Sequence, residues 1–154
     1  MNGNLKSSLG FTLIELMVAV IIVAIFAAIA IPSYQSFVRR STAAQAQQEI
    51  QRIATLLERN KSRNFNYLGF TVTPDPFVIP TGSTGDSVKY TIKVMDGTDS
   101  SRPLTNAAAA GQDYIIRALS KDDKNFSYVL SSTGLRCKKI GKTIDYTCDG
   151  AEAW

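Results

Sequence analysis

Apolar and polar residues follow three different rhythms along this chain. Residues 16–31 (LMVAVIIVAIFAAIAI) form an unbroken apolar run, and extending it back to Phe11 adds only Thr12 and Glu15 as polar members. At 1.5 Å per helical residue, residues 11–31 would span ~31 Å, the thickness of a hydrocarbon core. From residue 33 to about 60 there is no Gly or Pro, and Ala43, Ala46, Ile50, Ile53 and Leu57 recur at spacings of three and four, with Ala54 and Leu56 beside them. That period predicts an amphipathic helix with one buried stripe. Tyr34, Phe37 and Val38 open it with an aromatic face, while Arg39, Arg40, Gln45, Gln47, Gln48, Glu49 and Arg52 take the other sides. Pro32 lies at the junction, where the loss of one backbone donor predicts a kink in a helix of roughly 50 residues and ~75 Å.

The rhythm then changes to loop chemistry at 61–70 and to a stretch punctuated by Pro74, Pro76, Pro80, Gly82 and Gly85. Residues 87–95 alternate Val88, Tyr90, Ile92 and Val94 against Lys89, Thr91 and Lys93, which predicts a strand with one buried face. Asp96-Gly97 begins a turn, and shorter strands are expected at 114–119 and 126–130, separated by the polar 121–125 segment. A meander of three or four antiparallel strands follows. The expected fold class is α+β, a long N-terminal helix packed on a small antiparallel sheet head, with the outline of a ladle.

Composition narrows the chemistry. The 154 residues carry a net charge of +4, but the basic residues are scattered among 13 acids, so the balance alone assigns no nucleic-acid role. There is no histidine, which removes the commonest metal ligand and the usual general base at neutral pH. Phosphate-binding glycine loops, dinucleotide fingerprints and nucleophile elbows are all missing, so neither an enzyme nor a cofactor is expected. Asp96, Asp99, Asp122 and Asp123 do not have the spacing of a calcium loop, so no metal is expected. The triplets Asn60-Lys-Ser and Asn125-Phe-Ser match a glycosylation acceptor by composition only. Cys137 and Cys148 form an even pair in a chain with an export-type segment, which reads as one disulfide in an oxidising compartment.

Three readings fit the apolar segment. A cleaved secretory signal would end in a small-residue site, for which Ala28-Ile29-Ala30 is a weak fit. A plain anchor fits the length but leaves Glu15 unexplained, because an acid inside a membrane helix costs on the order of 3 kcal/mol. The third reading takes in the polar stretch before the run. Residues 1–10 (MNGNLKSSLG) are followed by Phe11-Thr12-Leu13-Ile14-Glu15 and, after the apolar run, by Pro32-Ser33-Tyr34-Gln35. This arrangement resembles the class III signal of type IV prepilins, with a short leader like that of the type IVa group and minor-pilin-like features after the run.

The resemblance implies the following. Residues 1–10 are a leader removed by a prepilin peptidase that cuts between Gly10 and Phe11 and methylates the new amine of Phe11. A glycine at the cut lets the protease approach the backbone closely. Residues 11–32 form the membrane and filament-core helix, 33–60 its amphipathic half, and 61–154 the head with a C-terminal disulfide loop. Glu15 neutralises the N-terminal amine of a neighbouring subunit and so sets assembly registry. The Arg39-Arg40 pair beyond the run, set against Lys6 before it, opposes this orientation by the positive-inside rule, whereas the signal implies that the N-terminus stays inside.

The expected function is that of a structural type IV pilus subunit, acting in adhesion, twitching motility or DNA uptake, with a minor pilin favoured over a major pilin. A type II secretion pseudopilin is a further alternative, against which the cysteine pair counts. The expected partners are other pilins, the peptidase and methylase, an inner-membrane assembly platform and the membrane itself. The expected path runs from single-pass inner-membrane protein to pilus on the bacterial surface. A DNA-binding competence pilin is the remaining alternative, with Arg136, Lys138, Lys139 and Lys142 as candidate phosphate contacts and Tyr146 and Trp154 as stacking surfaces, all interleaved with Asp145, Asp149 and Glu152.

Overall fold

A computed structural model describes residues 10–154. The leader residues 1–9, Lys6 among them, lie outside the described residues. The chain divides into two compact units, Met1–Val38 and Arg39–Trp154. One helix, α1 (Leu13–Asn64), supplies the described secondary structure of the first unit and opens the second.

In the first unit, Thr12 caps the helix. Its hydroxyl oxygen accepts the Glu15 N–H at 3.3 Å, satisfying one of the orphan donors of the first turn. Thr12-x-x-Glu15 is thus a capping pattern that the apolar run hides in the sequence. The large apolar side chains from Phe11 to Phe37 are solvent-exposed, Ile29 at 69% and Phe26 at 68%. The backbone stays helical through Pro32.

In the second unit, α1 buries Ala43, Ala46, Ile50, Ile53 and Leu57, the five positions of the predicted stripe. Tyr34 and Phe37, which precede this stripe along the helix, are both 68% exposed. The helix ends at Asn64, four residues beyond the expected 60. Asn64 Nδ2 donates to Asn60 Oδ1 at 2.9 Å, and the stop is Phe65, at φ +61°, whose N–H returns to the Lys61 carbonyl at 2.7 Å. This is a left-handed C-terminal cap made without glycine, so no residue type announces it.

The remaining elements are β1 (Phe77–Ile79), β2 (Tyr90–Asp96), β3 (Tyr114–Ser120), β4 (Phe126–Ser131), β5 (Arg136–Ile140) and β6 (Glu152–Ala153). They form one antiparallel six-stranded sheet in sequence order. The expected three or four strands become six because β1, β5 and β6 are short and draw their definition from pairing. Prolines flank β1, and charged residues interrupt β5. The first expected strand begins three residues later, at Tyr90, after a 3-10 turn at Gly85–Ser87.

Period two sorts the sheet into two faces. The inner face packs on the α1 stripe and buries Ile79, Tyr90, Ile92, Val94, Tyr114, Ile116, Ala118, Tyr128 and Leu130. Polar ties join β2 to β4, the loop after α1 to the helix, and the residue before β4 to the helix. Tyr90 donates its hydroxyl to the Phe126 carbonyl at 2.7 Å, Tyr67 to Glu58 at 2.9 Å, and Asn125 Nδ2 to the Arg39 carbonyl at 3.0 Å. The outer face holds a smaller cluster of Ile115, Val129, Cys137 and Ile144, flanked by Met95, Leu119 and Tyr146.

Asp96 corrects the expectation of a solvated turn acid. It ends β2 fully buried, and its carboxylate accepts N–H groups from Thr98 at 2.9 Å, Gly111 at 3.2 Å and Ala110. A carboxylate with three backbone donors organises the 97–111 loop instead of awaiting a cation. Among the described residues no group of acids, cysteines or histidines is placed to hold a metal.

Candidate functional site

Two separate surfaces carry chemistry. The first is the N-terminal tip. Gly10 and Phe11 precede the helix, Phe11 is 80% exposed, and a Cβ built on Gly10 meets nothing within 4 Å. Glu15 lies one turn inside, on an exposed position, and its carboxylate makes no hydrogen bond or ion pair among the described residues. Its backbone N–H is engaged by the Thr12 hydroxyl. The helix behind it is long and apolar enough to cross a membrane.

The second surface is the C-terminal half of the head. Cys137 and Cys148 are joined in a disulfide, as their pairing in the sequence predicts. The enclosed segment folds over the outer face of the sheet, burying Ile144 and half-burying Tyr146. Burial raises the Tyr146 hydroxyl pKa, partly offset by the Arg117 guanidinium stacked on its ring at 4.4 Å.

The four candidate phosphate contacts do not form one patch. Alternation along β5 separates Arg136 and Lys138 from Lys139. Arg136 lies 6.0 Å from the Trp154 ring and Lys138 lies 5.2 Å from the Phe126 ring, both rings being partly buried and packed against the inner core. Lys138 also approaches Glu152 at 3.9 Å. Lys139 takes the face of Cys137, and Lys142 pairs with Asp123 at 3.0 Å. Of the expected stacking surfaces, Trp154 is engaged internally, donating its Nε1–H to the Val129 carbonyl at 3.2 Å and packing edge-on to Tyr128.

What the residue pattern does not reveal is a cluster of cations on the outer face. Lys93 of β2 and Arg117 of β3 sit directly opposite one another in the sheet register. With Lys121 and Lys142 they line a cleft of about 340 Å³. The available signal was their place on the non-core side of two alternating strands. Their juxtaposition depends on a pairing across 24 residues of sequence that the pattern does not specify.

Comparison with known proteins bears on both surfaces. Residues 5–31 match the prokaryotic N-terminal methylation motif, and residues 32–133 match the family described as the type IV minor pilin ComP, DNA uptake sequence receptor. The chain is 34% identical to the type IV major fimbrial protein FimA of Dichelobacter nodosus over 116 residues, 66% of this chain and 74% of the relative. It is 31% identical to a fimbrial protein of Moraxella nonliquefaciens over 141 residues, 91% of this chain and 77% of the relative. Over a shorter stretch of 54 residues, 35% of each chain, it is 46% identical to a fimbrial protein of Pseudomonas aeruginosa. No solved structure matches the chain. A methylation motif on an uncovered apolar helix, a helix-backed antiparallel head and fimbrial relatives along most of its length lead to one conclusion: the chain belongs to the type IV pilins, structural subunits that are anchored in a membrane before assembly with other pilins into a surface pilus.

Proposed function

We propose that this pilin is a minor subunit of its pilus and that its head captures DNA at the fibre surface. The observation that carries the reading is the match of residues 32–133 to a minor pilin described as a DNA uptake sequence receptor. Cationic side chains on the head supply the sequence-independent attraction that phosphates need. The reading is tested by deleting the gene, quantifying fibres sheared from the surface and measuring uptake of labelled DNA. A DNA-capturing minor subunit predicts normal fibre mass with DNA uptake lost. Loss of the fibres themselves would favour a major pilin, the reading supported by the 34% identity to a major fimbrial protein.

Maturation follows from the tip. Cleavage between Gly10 and Phe11 would remove residues 1–10, and methylation would leave an N-methylated Phe11 amine. That cation would enter the fibre close to the Glu15 carboxylate of a neighbour. In low dielectric an amine and a carboxylate are favoured as a pair over two separate charges, so Glu15 would fix the stagger between subunits. The peptidase that cuts and methylates the chain and the inner-membrane assembly platform would be its partners at this stage. Residues 11–32 would provide the filament core, with Pro32 as a kink, followed by the amphipathic half and a head ending in the Cys137–Cys148 loop. The disulfide counts against a type II secretion pseudopilin.

A further inference from the structure

The outer face of the sheet holds positive charge that its surroundings do not neutralise. Lys93 and Arg117 are cross-strand partners, and like charges directly opposite one another destabilise a sheet. Neither of them, nor Lys121 immediately after β3, has an acidic partner among the described residues. The Arg117 guanidinium is held in place by stacking on Tyr146, with Cζ 4.4 Å from the ring centroid. Its Nε–H is nevertheless buried and finds no acceptor. Buried donors are nearly always satisfied, so an orphan beside an unopposed lysine marks a place where an acceptor is missing.

The cleft at this place has a volume of about 340 Å³ and is lined by Thr91, Lys93, Arg117, Leu119, Lys121 and Lys142. That is room for a phosphodiester with its flanking sugar, and the wall chemistry is that of an anion site. Lys142 is held by Asp123, but both side chains are exposed, so the pair is a weak surface link that a stronger anion can displace. Lys142 and Tyr146 both lie between Cys137 and Cys148, so the disulfide-closed segment supplies part of the site.

We propose that this cleft is a phosphate-binding site, in which Arg117 and Lys93 seat the oxyanion and Lys121 and Lys142 add positive charge. The identification of the phosphate as part of a DNA backbone rests on the DNA-capture reading above. Seating one phosphate would give Arg117 Nε its acceptor and turn the Lys93–Arg117 repulsion into a shared attraction.

The test uses the full mature chain in detergent micelles, comparing the natural protein with Lys93→Gln, Lys121→Gln and the double variant K93Q/R117Q. Thermal unfolding and disulfide content identify any variant that has lost its fold, and the exposed Lys93 and Lys121 positions keep the test open if Arg117 is needed for folding. Binding of a short labelled DNA duplex is measured by anisotropy across a salt series, and binding of inorganic phosphate by 31P resonance broadening. The expected result is a weakening of duplex binding by about tenfold or more in the double variant. Its log–log salt slope should fall by ~0.9 for each DNA phosphate that the variant no longer neutralises, and phosphate broadening should disappear in parallel. Duplex binding that is unchanged in affinity and slope in every folded variant overturns the cleft while leaving DNA capture standing. Phosphate binding that depends on Lys93, in a chain that binds no duplex, upholds the cleft and overturns DNA as its source. If the natural chain binds neither probe, both readings fall.

Discussion

Two lengths of the same helix meet opposite fates. Up to Phe37 the large apolar side chains of α1 stand exposed, whereas from Arg39 onward five apolar positions are 8% exposed or less. The backbone is the same, so the difference lies in the angular spread of the apolar residues. A stripe is covered by one sheet, and the head supplies that sheet within its own chain. A helix that is apolar on all sides needs a surrounding medium, which lipid or other helices provide. The second half of α1 therefore works in folding, and the first half is free to serve as the membrane anchor.

The largest effect that separates the two halves should come at Gly10. Gly10→Val should abolish leader removal and fibre incorporation, read as retained leader mass in the membrane fraction, while the head keeps its near-UV circular dichroism. Glu15→Ala should still be cleaved and inserted but should enter fibres poorly, measured as the ratio of sheared to membrane-bound protein; normal incorporation would remove the registry role. Next in size, Ile50→Ala should destabilise the head by about 2–5 kcal/mol, because the residue is fully buried and leaves a cavity. Ile22→Ala, on the exposed half, should leave head unfolding unchanged, and equal losses in the two variants would show that both halves of α1 support the head. Cys137→Ser should lower head stability by roughly 3 kcal/mol through removal of the cross-link, visible as a lower denaturant midpoint.

The smallest effect concerns alkaline pH. Tyr67, Tyr90, Tyr114 and Tyr128 are buried in the inner core, and desolvation raises each hydroxyl above its ordinary value of 10, Tyr114 to about 12. The unfolded chain loses these protons first. Their contribution to stability is therefore full below about pH 10 and falls as the pH rises through about 12. Tyrosinate absorbance and loss of head structure should rise together in that window, while the helical signal of the apolar half persists.

The stripe on α1 was legible because a helix writes its own period into local sequence, and all five predicted positions are buried. Alternation at Val88, Tyr90, Ile92 and Val94 was legible for the same reason, and each is buried. Features set by distant partners were not. Phe65 stops the helix without a glycine, and β1 and β6 are strands only because β2 and β5 pair with them. Asp96 reads as a turn acid until the 97–111 loop closes over it. The basic residues at the C-terminus look like one cluster in sequence, and period two in β5 divides them. Conversely, Lys93 and Arg117 look unrelated until the register brings them together. Local pattern identified the uncovered apolar length of α1, whereas the surface of the head depends on tertiary pairing.

If the exposed apolar half of α1 is kept and carries this chain into a fibre, mass spectrometry of the N-terminal peptide from membrane and sheared surface fractions of the native cells should find an N-methylated Phe11 terminus in both fractions. A terminus that retains Met1, or one that begins beyond the apolar run, would contradict this.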